Sequence, residues 1–171
     1  MKLAPISIDD LQLRVHHLWD KQWPLLTSGD FEKHDFNTMT VGWGSVGTIW
    51  GRPFVQVFVR PSRHTYSFID RYDNFTLSAL PETYRKALSL LGSKSGRDGD
   101  KISEAGLTPI ASTTISSPTF TEAELVIECR KIYWQDLDQS HFLDANVESR
   151  NYAKGDFHRI YFGEITAVLA R

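Results

Sequence analysis

A mainly β fold, a β-barrel with peripheral helices, is what this sequence predicts, and three observations carry the prediction. Phe54-Val55-Gln56-Val57-Phe58-Val59 is a short run of β-branched and aromatic residues with Pro53 at its entrance, the signature of a strand. Ala123, Leu125, Ile127 and Cys129 alternate with Glu122, Glu124, Glu128 and Arg130, a half-buried strand that continues towards Trp134, with Val126 the exception. Few strand–helix–strand units of sufficient length exist, so most strands pair antiparallel and close, fully or partly, into a barrel.

The remaining elements follow in chain order. Leu11, Val15, Leu18 and Trp19 recur at helical spacing behind Asp9 and Asp10, which predicts a helix within the first twenty residues. After Pro24 the character changes, and the first strand read is Phe54 to Val59. Thr65 to Ile69 reads as a short helix with Ser62 or Thr65 as its cap. Pro81 opens a second helix through Tyr84, Ala87, Leu88 and Leu91, which Gly92 closes. Ser112 to Ser117 is polar, a loop or a solvated edge, and Arg159 to Leu169 supplies the last strand.

At 171 residues the chain fits one domain, residues 1–171. Hydrophobic residues at 41% and charged residues at 23% exclude disorder. Nineteen Lys plus Arg against 21 Asp plus Glu leave a net charge of −2. A protein that neutralises nucleic-acid phosphates carries more base than this, so no nucleic-acid partner is expected and any anion site is local. Cys129 stands alone, which rules out an intrachain disulfide and a thiolate metal cage. The start, MKLAPISIDDLQLR, places an Asp pair where a secretory signal needs an apolar run, and no membrane-length apolar stretch occurs; the expectation is a cytoplasmic protein without a membrane partner. Five tryptophans and ten phenylalanines indicate a bulky core or a surface that receives a planar ligand.

Gly42-Trp43-Gly44-Ser45-Val46-Gly47 spells G-x-G-x-x-G. A dinucleotide-binding turn needs a helix to begin there, so that free N–H groups meet the pyrophosphate. Thr48-Ile49-Trp50-Gly51-Arg52-Pro53 follows instead, and a Gly then a Pro cannot carry a long helix. The glycines read rather as backbone that approaches a flat object closely. Two other segments have the make-up of anion cradles. Arg60-Pro61-Ser62-Arg63-His64-Thr65 joins a strand end to a helix start and offers forked donors and a hydroxyl. Gly92-Ser93-Lys94-Ser95-Gly96-Arg97-Asp98-Gly99-Asp100-Lys101 combines three glycines with cations and hydroxyls. Taken singly, each is more often a solvated loop. The six histidines show no H-x-x-x-H or H-E-x-x-H spacing, so no metal is expected. His158, at the start of the last strand, is either a polar contact in a pocket or a structural residue.

Asn37-Thr38-Met39-Thr40-Val41-Gly42-Trp43-Gly44, Gly47-Thr48-Ile49-Trp50 and Val59-Arg60-Pro61-Ser62-Arg63-His64-Thr65, in this order, resemble the flavin reductase-like family of FMN-binding split barrels. Phe75-Thr76-Leu77-Ser78, Ser95-Gly96-Arg97-Asp98-Gly99-Asp100-Lys101, Gly106-Leu107-Thr108-Pro109 and His158-Arg159-Ile160-Tyr161-Phe162-Gly163-Glu164-Ile165 continue the match, which runs from about Trp23 onward and is most similar to the flavoredoxin-like branch. The resemblance implies a six-stranded antiparallel split barrel, a homodimer and one FMN per subunit near the dimer interface. It implies that Asn37, Met39, Thr40 and Trp43 line the isoalloxazine ring. It assigns Arg60, Arg63, His64, Thr65, Ser95, Arg97 and Lys101 to the phosphate and ribityl groups. Lys101 is also the side chain expected beside N1 and the C2 carbonyl, and His158 is placed on the nicotinamide side. Gly42 stands where relatives often carry Ser or Ala, which leaves only backbone contacts to the ring there.

The implied activity is that of an NAD(P)H-dependent flavin reductase whose chemistry resides on the flavin, with no catalytic side chain, and whose acceptor is a small molecule or a protein. The alternative is a flavoredoxin-like electron-transfer protein that works with a protein redox partner and without NAD(P)H. A flavin-free oligonucleotide-binding barrel is a third, which the near-neutral charge opposes.

Overall fold

The computed structural model describes residues 2–171. In chain order its first elements are strand β1 (Ala4–Ile6), helix α1 (Val15–His17), and strands β2 (Leu25–Asp30), β3 (Asp35–Thr40), β4 (Gly44–Ile49) and β5 (Arg52–Val59). Helix α2 (His64–Arg71), strand β6 (Asn74–Ala79) and helices α3 (Arg85–Ser93) and α4 (Lys101–Glu104) follow. The chain ends with β7 (Pro109–Ile110), β8 (Thr119–Phe120), β9 (Leu125–Asp136), α5 (Ala145–Asn151) and β10 (Arg159–Ala170). The main sheet is antiparallel, in the order β3-β2-β6-β9-β10-β5-β4, with β1 on β10. That makes eight strands rather than the six the resemblance implies. Among the described residues β3 and β4 are not paired with each other, so the barrel stays open between them.

Two apolar clusters hold the sheet from its two sides. Leu26, Val55, Val57, Val59, Phe75, Leu77 and Tyr161 fill the barrel together with Trp19. Leu25, Leu88, Leu91, Phe120 and Val126 pack outside it, under α3 and the chain around β8. β6 is therefore buried along its whole length. Its outward polar atoms are satisfied: the Thr76 hydroxyl donates to the Pro118 carbonyl (2.7 Å), and the Ser78 and Thr119 hydroxyls pair at 2.9 Å.

The long alternating strand is β9, and β10 is the last strand. Glu128 does lie opposite Ile127 and Cys129, but it is fully buried. Its carboxylate accepts from the backbone N–H groups and hydroxyls of Thr113 and Thr114. Ser112 to Ser117 is consequently a loop that covers the sheet rather than a solvated edge. Ser117 is buried, and its hydroxyl bonds to Gly29 and Asn74.

The amino-terminal helix is shorter than its periodicity predicts. Ser7 caps a 3-10 turn over Ile8–Asp10, and α1 begins only at Val15, running on into a π-type turn at Leu18–Gln22. Pro81 precedes the 3-10 turn Glu82–Tyr84, which leads into α3. Gly92 does not close α3; it lies inside the last turn, where a Cβ would sit 3.2 Å from the Thr40 side chain. Its role is close packing of α3 on β3. Neither Ser62 nor Thr65 caps α2, whose N-cap is Arg63 without a side-chain bond.

The G-x-G-x-x-G stretch runs into β4, turns at Trp50 and Gly51 with positive φ (52° and 70°), and returns as β5. A two-residue hairpin turn of this kind excludes the helix that a pyrophosphate site needs. The flat object that Gly44 admits is the chain's own Trp19 indole, which a Cβ there would meet at 2.4 Å.

Candidate functional site

Two adjoining hollows open beside the split between β3 and β4, and they share Met39 and Arg63. All twelve residues singled out from the sequence line one or the other. The first, about 160 Å³, is walled by Met39, Thr40, Val41, Gly42, Trp43, Phe58, Arg60, Arg63 and His158. The second, about 150 Å³, contains Asn37, Arg63, His64, Thr65, Ser95, Arg97 and Lys101. Of its fourteen lining residues, Arg63, Lys94, Arg97 and Lys101 are cations, and none of those described is an acid.

The second hollow forms where two turns meet. β5 ends in a tight turn, with the Arg63 N–H donating to the Arg60 carbonyl (3.0 Å), and α2 starts at His64. Opposite, Ser95 caps a 3-10 turn over Gly96–Asp98, and the Asp100 carboxylate caps α4. Gly96 is what lets the two approach: a Cβ would lie 2.4 Å from Asn37 Oδ1 and 2.9 Å from the His64 ring. Asn37 Nδ2 donates to Thr65 Oγ1 at 2.8 Å, which locks β3 to α2 behind the hollow. His64 Nδ1 is buried without a partner, and burial, then Arg97 and Lys101, lowers its pKa. Both effects disfavour the protonated imidazole beside the cationic hollow.

The first hollow is aromatic. The Trp43 ring lies 4.8 Å from His158 and 6.5 Å from Phe58. His158 is 8% exposed, and its Nδ1 sits 2.7 Å from the Tyr152 hydroxyl. Burial first, then the Arg60 charge, pushes its pKa down to about 4. Arg60 lies here rather than with the other cations. Its Nη1 donates to the Asp156 carbonyl (3.1 Å), its Nη2 to the Asn151 carbonyl (2.9 Å), and the guanidinium covers the Tyr152 ring at 5.0 Å. Arg60 therefore clasps the excursion between β9 and β10. Lys101 lines the cation hollow, with the remaining phosphate candidates.

Sequence reasoning missed Phe58, Tyr152 and Asp156. Phe58 was legible as the outward position between Val57 and Val59. Asp156 holds a positive φ of 61°, and its carboxylate accepts from the Ser62 N–H (3.1 Å) and hydroxyl (2.6 Å). Nothing local to either residue announces those long-range contacts.

The sequence matches the family described as Flavin reductase like domain over residues 22–171. Among solved structures, flavoredoxin of Desulfovibrio vulgaris (Miyazaki F) superposes with a TM-score of 0.68 at 20% identity, over 97% of this chain and 77% of that one. An FMN-binding protein from Thermus thermophilus gives 0.67 at 17%, over 98% and 82%. Nitrilotriacetate monooxygenase component B from Bacillus cereus gives 0.65 at 18%, over 96% and 80%. At such identities the superpositions speak for the fold. With the open antiparallel barrel and a sequence match from residue 22 to residue 171, the chain belongs to the flavin reductase-like family.

Proposed function

We propose that the chain binds FMN across the two hollows and works as an NAD(P)H-dependent flavin reductase. One observation carries the reading: a hollow with four cations and no acid among its described lining residues adjoins an aromatic one and shares two walls with it. A phosphomonoester of about −1.5 to −2 charge fits the donor set of the first kind, and a planar ring fits the walls of the second. The FMN-binding protein with the same fold supports the same cofactor. Arg63 and Arg97 offer planar forks to phosphate oxygens, and Ser95 offers a hydroxyl. Trp43, Met39 and Phe58 keep water from the ring end. His158 is neutral at pH 7, so it contributes a hydrogen bond and no charge. When bound, the flavin supplies the electron transfer between a pyridine nucleotide and an acceptor.

Titrating purified apoprotein with FMN, then mixing the complex anaerobically with NADH or NADPH, tests this. Saturable uptake followed by rapid bleaching is expected. Failure to take up FMN rejects the reading. Uptake without bleaching favours the electron-transfer alternative.

We also propose that a second copy covers the outer face of β4, β5, β10 and β9. An aromatic band runs there from Phe54 to Phe162 (5.9 Å), Tyr133 (5.4 Å) and Trp50 (6.0 Å), and Trp50 is 65% exposed on a strained turn. Light scattering is expected to give twice the chain mass, and Trp50→Glu to shift it towards the monomer.

A further inference from the structure

Building on the flavin reading, we infer that Lys101 is a positioning residue: it ties the anion loop to the end of α3, and the side chains that meet the phosphate are Arg63 and Arg97. Lys101 is only 4% exposed. Its ammonium donates to the Leu91 carbonyl at 3.0 Å and to the Lys94 carbonyl at 3.1 Å. These belong to the last turn of α3 and to its C-cap, where carbonyls have no helical partner and the helix end is negative.

α3 lacks the left-handed glycine that commonly satisfies such carbonyls, because Lys94 is extended (φ −81°, ψ 135°). Lys101 takes over that task from seven residues downstream, and the Lys94–Lys101 bond closes the loop that carries Ser95 and Arg97. Two of its three ammonium protons are thereby committed. The arginines contrast with it. Arg63 is exposed, and among the described residues its guanidinium donates only through Nη1, to the Gly92 carbonyl (3.2 Å). Among the described residues the Arg97 guanidinium has no hydrogen-bonding or ion-pair partner.

The charged neighbours agree with this division. Arg63 and His64 reach the hollow from the start of α2, Arg97 from the loop, and Lys94 pairs with Glu104 of α4. Burial chiefly, and the Arg63 charge next, pushes the Lys101 pKa down to about 8. A lysine so placed is held by carbonyl dipoles and not by an ion pair.

The test uses Lys101→Met, which keeps the buried stem and removes the donors, alongside Arg97→Gln and the double variant. In flavin-free protein, hydrogen exchange at the Asp98 and Lys101 amides is expected to quicken about tenfold in Lys101→Met and to stay unchanged in Arg97→Gln. FMN affinity is expected to fall about tenfold in each single variant, while the double variant binds within about twofold of Arg97→Gln, because a displaced loop has nothing left to present. Lys101→Gln, which retains a donor, is expected to recover part of both readouts. Losses that add to about a hundredfold in the double variant, or unchanged exchange in Lys101→Met, would make Lys101 a direct ligand and overturn the inference. Wild-type protein that takes up no FMN would overturn the functional reading and this assignment together, whereas additive losses on an intact wild-type affinity sink this assignment alone.

Discussion

The cation-lined hollow is walled by two turns and a helix start, and two of its four cations, Arg63 and Arg97, are exposed and outside any ion pair among the described residues. The aromatic hollow beside it is walled by β3, β5 and the excursion between β9 and β10, and its polar groups are already spoken for. Arg60 is bound to two carbonyls and His158 to Tyr152. The contrast teaches where affinity and chemistry reside. Free forks at one end suit an anion, while at the other the bonded Arg60 and His158 leave the aromatic faces of Trp43 and Phe58 to meet a ring.

The largest expected effect falls on the first of these ends. Arg63→Gln combined with Arg97→Gln is expected to weaken FMN binding about a hundredfold, since each charge-assisted bond contributes roughly 1.5–3 kcal/mol. Riboflavin, which lacks the phosphate, is expected to bind as before; an equal loss for both ligands, read by fluorescence titration, would break the comparison. Gly96→Ala adds a Cβ only 2.4 Å from Asn37 Oδ1 and is expected to cost about tenfold in FMN affinity by pushing the loop outward. Trp43→Ala at the other end is expected to weaken FMN and riboflavin alike, by about fivefold.

The smallest effect is a pH dependence. The folded pKa of His158, about 4, lies below its ordinary 6.5. The unfolded chain therefore takes up a proton that the folded chain refuses, and stability present above pH 6.5 is lost as pH falls towards 4. Between pH 7.5 and 5.5 the loss attributable to this group is about 1 kcal/mol. Urea unfolding at both pH values checks it, and His158→Gln is expected to remove that part of the slope.

β5, β9 and β10 were legible because one or both of their faces obey simple patterns of apolar residues. β2 and β6 were not, because covering both faces erases the alternation that marks a strand. Glu128 shows the same limit at one residue: period 2 gives its side, but not the threonine loop that buries it. The charges and glycines of the cation hollow cluster locally in sequence, so they could be read there. The clasp of Arg60, Tyr152 and Asp156 joins residues more than ninety positions apart and leaves no local trace.

That clasp has a consequence of its own. Arg60 grips Asn151 and Asp156 by their main-chain oxygens, which every amino acid possesses. Between those grip points and β9, the excursion is free to change its side chains, and even its length, without loosening its footing. The arm beside the aromatic hollow can therefore vary while the anion end of the pocket stays as it is.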